Sequence, residues 1–389
     1  MSLPYSSLTA RLDTPGSDVW RIHDEAVLKQ RAGEDIILLS VGDPDFPTPA
    51  YITEHAVEAI NRGRTHYSPP AGEFNLREAI AALETRITGR DFDPEQFVIF
   101  PGASAALYAV FSSIADPGDE VVVPEPMYAA YYSMFAALGV EVKAVSLAPP
   151  QFSLDVDAVF AAVTEKTRAV LVNTPGNPCG NLIGEEELRA LASGCRERDI
   201  WLVSDEVYSL ITFEAPHWSL LRYEGDTSNL IIIDGLSKSH AMSGWRIGWA
   251  ASPPEMSAQL TRFSSAALFG VSQFIQDAAA YALENDTADV EAMRLEYMRR
   301  RDYAAQRLDG IAKLDYFLPS GGMFMMIDAG RLCNDGAEFA TRLLEEAGLS
   351  TIPGRGFGPS AATWVRMSLT HPIEVLETVF DRMARVAGS

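Results

Sequence analysis

The sequence predicts an α/β protein, with a large domain whose mostly parallel sheet is sandwiched by helices and a smaller α+β domain. Three observations carry this expectation. From residue 97 onward, short apolar runs alternate with helix-period segments, as strand–helix–strand units around a parallel sheet require. After residue 273 the pattern changes to long helical periodicity followed by short strands. The chain also has 389 residues, 47% of them hydrophobic, enough for a sizeable core in two lobes.

In chain order, an N-terminal arm leads into a helix over residues 20–31, with Asp18 as its N-cap. Residues 36–42 read as a strand that ends in the turn Asp43-Pro44-Asp45-Phe46-Pro47, and a helix runs from about residue 49 to the glycine at 63. Strands are expected over 97–100, 120–123, 140–145, 169–172, 201–204, 230–233 and 245–251. Helices intervene from 103, around Tyr131 and over 185–198, and two later strands fall at 323–327 and 365–368. The expected division is residues 1–47 as an arm and part of the small domain, 48–285 as the large domain and 286–389 as the small C-terminal domain.

Composition excludes several functions. A net charge of -22 repels nucleic acid and anionic membrane surfaces, so an anionic ligand has to be held by local cations or backbone N–H groups. Three scattered cysteines, Cys179, Cys195 and Cys333, fit a reducing compartment and lack metal spacing. The six histidines show no ligand pairing, so no metal is expected. No leader pattern or membrane-length apolar run is visible, and the expectation is a soluble cytoplasmic protein.

The stretch Gly235 to Trp249 concentrates the chemistry. Lys238 leaves the buried strand Leu230-Ile231-Ile232-Ile233 among small and hydroxyl residues. It either snorkels into water or sits partly desolvated, where burial favours the neutral amine that bonds to carbonyl compounds. Pro101-Gly102-Ala103-Ser104 joins a strand to a helix, either as an ordinary tight turn or as a phosphate site at the helix N-terminus. In Asn173-Thr174-Pro175-Gly176-Asn177-Pro178-Cys179-Gly180, Asn177 serves the turn or donates to a ligand oxygen. Asp205, in Ser204-Asp205-Glu206-Val207-Tyr208, caps a following helix or faces a cation. Arg246 and Arg366 each sit in an otherwise apolar strand and need an anionic partner.

Together these features suggest a pyridoxal phosphate site. Asn177-Pro178-x-Gly180, Asp205-x-x-Tyr208 and Ser237-Lys238-x-x-x-x-Gly244-x-Arg246-x-Gly248, with Arg366 near the end, resemble the class I/II aminotransferases of fold type I. The resemblance covers essentially the whole chain. It implies Lys238 as the cofactor-bonding lysine and proton carrier, Asp205 on the pyridine nitrogen, and Asn177 and Tyr208 on the phenolic oxygen. It also implies Tyr128 stacked on the ring, with Ala103, Ser104 and Arg246 on the phosphate. Arg366 would clamp the substrate carboxylate with Asn177 and the backbone of Gly42. Tyr67 would reach the phosphate of a neighbouring subunit, which implies a homodimer. The family's serine three residues before the lysine is here Gly235.

Stretches such as Glu125-Pro126-Met127-Tyr128 and Phe357-Gly358-Pro359-Ser360-Ala361-Ala362 resemble the arginine–pyruvate transaminase subgroup. The expected activity is therefore ping-pong transfer from an L-amino acid, arginine first, to a 2-oxo acid such as pyruvate. The alternatives are a β-lyase of a sulfur amino acid on the same fold and a non-catalytic cofactor-binding regulator.

Overall fold

The computed structural model describes residues 3, 5–12, 20–147, 149–285 and 288–388. Asp18, expected as an N-cap, lies outside them; the helix itself spans Arg21–Arg31. The strands in chain order are β1 (Ile37–Leu38), β2 (Phe97–Phe100), β3 (Glu120–Glu125), β4 (Glu141–Ser146), β5 (Thr167–Asn173), β6 (Trp201–Asp205) and β7 (Leu230–Gly235). They continue as β8 (Gly248–Ala251), β9 (Asp315–Phe317), β10 (Phe324–Asp328), β11 (Leu349–Ser350), β12 (Ile352–Pro353) and β13 (Trp364–Ser368).

The main sheet has seven strands in the order β2-β8-β7-β6-β5-β3-β4. The pairs from β4 to β7 are parallel, and only β8 runs against its neighbours β2 and β7. Alternate residues point to opposite faces, and both faces are covered. Phe97, Ile99, Leu230 and Ile232 enter one core with the helices Ala50–Asn61, Glu185–Glu197 and Gln273–Glu284. Val98, Phe100, Ile231 and Ile233 enter the other with Ala103–Ile114, Ala129–Leu138 and Pro254–Ala267. Burial on both faces explains why these strands read as continuous apolar runs.

A second, antiparallel sheet, β12-β13-β10-β9, packs with Arg21–Arg31, Ala288–Asp309, Gly336–Ala347 and Ile373–Ala387. The N-terminal segment joins it through the parallel pair β1–β11. The strand expected at 36–42 is reduced to Ile37–Leu38, because the chain leaves β11 after Leu39 donates to Ser350. The strand expected at 245–251 begins only at Gly248, because Arg246 has φ 57, which no extended strand accommodates. The helix Phe74–Thr88 is not among the expected elements, although Leu76, Ala79 and Ile80, with half-buried Leu83, stand at helical spacing and face the core.

Candidate active site

Parallel strands put their carboxyl ends on one edge, and ligands bind there in open α/β sheets. Here that edge opens into a cavity of about 430 Å³ beyond β5, β6 and β7, which also reaches Gly42 and, on β13, Arg366. It gathers Gly42, Ala103, Ser104, Tyr128, Asn177, Asp205, Tyr208, Lys238, Arg246 and Arg366. Tyr67 is the exception. It is 82% exposed and packs edge-to-face on Phe269 at 4.9 Å, in a separate surface hollow.

Lys238 is half-buried just past β7, and its Nζ donates to the Gly42 carbonyl at 2.7 Å. Burial pulls its pKa down to about 8; Asp43 opposes that pull, while Arg366 and Arg246 reinforce it. The Gly42 loop comes this close because a Cβ there would meet the Phe324 ring at 2.1 Å. The lysine is therefore neutral far more often than a solvated one near neutrality.

Asp205 ends β6 and is buried, which pushes its carboxyl up to about 6. The hydroxyl of Tyr131 opposes the shift by donating to Oδ2 at 2.5 Å. No role was legible for Tyr131 in the sequence, where it is one more aromatic in an apolar helix. The available signal was general: a buried tyrosine hydroxyl needs a partner. Asn173, at the end of β5, donates to the Asp205 carbonyl at 2.9 Å and accepts from the Asn177 N–H at 2.7 Å, tying the two strand-end residues together.

The helix Ala103–Ile114 starts at the cavity with Gly102 as N-cap and no side-chain cap. Its first N–H groups and the helix dipole therefore favour an anion there. Arg246 lies beside it, donating to Ser243 O at 2.8 Å and Pro101 O at 3.4 Å. The sequence placed Arg246 inside a buried strand. It is instead exposed on the left-handed turn before β8, so its guanidinium is available at the cavity.

Arg366, at 3% exposure, is buried as expected. It donates to Asn177 Oδ1 at 2.9 Å and Ser40 O at 2.5 Å, and its Nε has no partner. Its guanidinium lies 4.2 Å from the Phe324 ring centre, and burial lowers its pKa to about 10. Among the described residues no carboxylate forms an ion pair with it. A buried guanidinium with only neutral partners is costly until an anion arrives. Tyr208 completes this side, lining the cavity with Asn177 and packed edge-to-face on Phe324 at 6.0 Å.

The site thus has an amine that loses its proton easily, a buried acid, a cradle for one anion and a buried arginine for a second. Among the described residues no His, Cys, Asp or Glu cluster has metal-binding geometry, and no helix is long and apolar enough to cross a membrane.

A family model described as aminotransferase class I and II matches residues 34–383. Arginine–pyruvate transaminase AruH of Pseudomonas aeruginosa is 41% identical over 385 residues, 99% of this chain and 98% of that protein. Aspartate/prephenate aminotransferase of Thermus thermophilus is 37% identical over 371 residues, 94% of this chain and 95% of that one. The structure of Thermus thermophilus aspartate aminotransferase with maleate aligns with a TM-score of 0.93 at 35% identity, covering 99% of this chain and 100% of that one.

Proposed function

Within the class I and II aminotransferases, to which this chain belongs, we propose that it moves the amino group of L-arginine to pyruvate. The observation that carries this is the 41% identity with an arginine–pyruvate transaminase along nearly the full length of both chains. Other relatives, at 34–37%, are named for aspartate, prephenate or aromatic substrates.

The family depends on pyridoxal phosphate, which when bound supplies an aldehyde for the substrate nitrogen and a ring that withdraws electrons from the substrate's α-carbon. The cradle at Gly102 and the unpaired Arg366 fit a phosphorylated cofactor and a carboxylate substrate. In our reading Ala103 and Ser104 N–H groups and Arg246 hold the phosphate, and Tyr128 packs on the ring. Asp205 keeps the ring nitrogen protonated, while Asn177 and Tyr208 donate to the phenolic oxygen. Lys238 Nζ, with its lowered proton affinity, carries the proton to and from the α-carbon. Arg366, with Asn177 and Gly42, binds the α-carboxylate, which both substrates share, so one site serves both halves of a ping-pong cycle. Exposed Tyr67 and Phe269 support a homodimer in which Tyr67 reaches the neighbouring site. The acidic chain with buried free cysteines supports a cytoplasmic location.

The test is to mix the cofactor-loaded protein with single amino acids and no acceptor and to follow the cofactor's absorbance. Fast conversion by L-arginine, reversed by pyruvate, is the expected result. Conversion by aspartate or aromatic amino acids but not arginine overturns the substrate. Keto acid and ammonia accumulating without an acceptor would mean a lyase.

A further inference from the structure

We propose that Tyr131 is a positioning residue for Asp205, its hydroxyl holding that carboxylate in orientation and charge so that it serves a protonated ring nitrogen. This rests on the role given to Asp205 above.

The geometry is specific. Tyr131 is 2% exposed and Asp205 4%. The phenol reaches Oδ2 at 2.5 Å, whereas Oδ1 receives only the Val207 N–H at 3.4 Å. A charge-assisted O–H···O⁻ bond is normally 2.5–2.7 Å and about twice as strong as a neutral one, while 3.4 Å is marginal. One strong donor thus fixes the carboxylate on the side turned away from its open oxygen. The ring of Tyr131 is anchored independently by edge-to-face contact with Tyr128 at 5.4 Å and by the core under the sheet. The hydroxyl is therefore separable from the packing.

The chemistry follows from competition for one proton. Asp205 and a pyridine nitrogen facing it share a proton, which stays on the ring only while the carboxylate is the weaker base. Burial and Glu206 make Asp205 more basic. Tyr131 and, more weakly, Lys238 make it less so, and Tyr128 and Tyr208 are the other titratable groups nearby. Removing the phenolic donor leaves only the weaker Val207 N–H and Lys238 to oppose burial.

The experiment measures pyridoxal phosphate affinity of the full-length cofactor-free protein against pH, by tryptophan fluorescence, for wild type, Tyr131→Phe and Asp205→Asn. Wild type is expected to lose affinity on the acid side as Asp205 takes a proton, and Asp205→Asn to lack that limb. In Tyr131→Phe the limb moves up by about one to two pH units, the worth of one hydrogen bond to a charged group. Replacing Tyr131 by 3-fluorotyrosine, a stronger donor of the same shape, moves it down and serves if Tyr131→Phe folds poorly. A Tyr131→Phe or fluorotyrosine limb superimposed on wild type overturns the inference alone. An Asp205→Asn curve identical to wild type overturns the role of Asp205 and the inference with it.

Discussion

Arg246 lies so close to Gly102 that a Cβ on the glycine would sit 2.3 Å from Nη2. Gly102 also holds φ 89, a conformation that costs little only without a side chain. The glycine therefore serves both the turn and the arginine's approach to the helix N-terminus. Nη2 is the tip of a flexible side chain and can yield, but an alanine at φ 89 also strains the turn, so Gly102→Ala displaces the guanidinium and disturbs the helix N-terminus together. We expect pyridoxal phosphate affinity to fall at least about tenfold, the scale of one charge-assisted hydrogen bond. Wild-type affinity in a titration of the cofactor-free variant would mean that Arg246 does not hold the phosphate.

Arg366 tests the second anion site. Its neutral partners and orphaned Nε make it a binding group more than a structural one. Arg366→Lys keeps the charge but loses the planar fork, so kcat/KM should fall roughly a hundredfold for donor and acceptor alike. Because the arginine forms no ion pair in the free protein, Tm should move by only a few degrees. Loss confined to one substrate would refute the shared α-carboxylate site.

Fold and site were legible in the sequence to different degrees, for physical reasons. Strands buried on both faces, such as β7, leave an apolar run that no exposed segment imitates. Asp205 ends β6, and Lys238 and Asn177 lie in the loops that follow β7 and β5, where local sequence alone marks an interruption of the core. Arg246 was misplaced because a positive φ at a non-glycine residue is set by tertiary contacts and has no signature of its own. Tyr131 was missed because its importance is a distance to a residue 74 positions away. The smaller sheet was seen only at β10 and β13; β9 and β12 are too short to show a period.

Lys238 gives a pH prediction whose sign is fixed. Its pKa is lowered to about 8 by burial, so the neutral, reactive amine appears above that pH and is protonated below it. The rate at which cofactor-free protein takes up pyridoxal phosphate should rise about tenfold per unit up to about pH 8 and then level off. Asp43 raises the lysine's pKa, so Asp43→Asn should shift the bend to lower pH. Stopped-flow uptake that climbs unchanged beyond pH 10 would show the lysine to be solvated.

Gly235 stands where relatives are expected to place a phosphate-binding serine, and restoring that serine should fail. Gly235 pairs with Gly248 across the β7–β8 ladder. A Cβ on Gly235 would meet the Ile247 carbonyl at 2.8 Å and Gly248 Cα at 3.0 Å, and a Cβ on Gly248 would meet the Ala103 N–H nitrogen at 2.6 Å. These are backbone atoms, which do not yield as a side-chain tip does. The two glycines let the strand pair and the turn at Gly102–Ala103 come together, so a side chain there pushes β8 toward that turn. Gly235→Ser is therefore expected to lower stability by about 1–3 kcal/mol, the usual cost of overpacking. Cofactor affinity should drop with it, despite the added hydroxyl. Thermal melts and a cofactor titration decide this, and tighter binding with an unchanged Tm would show that the backbone adapts and that the serine is merely absent.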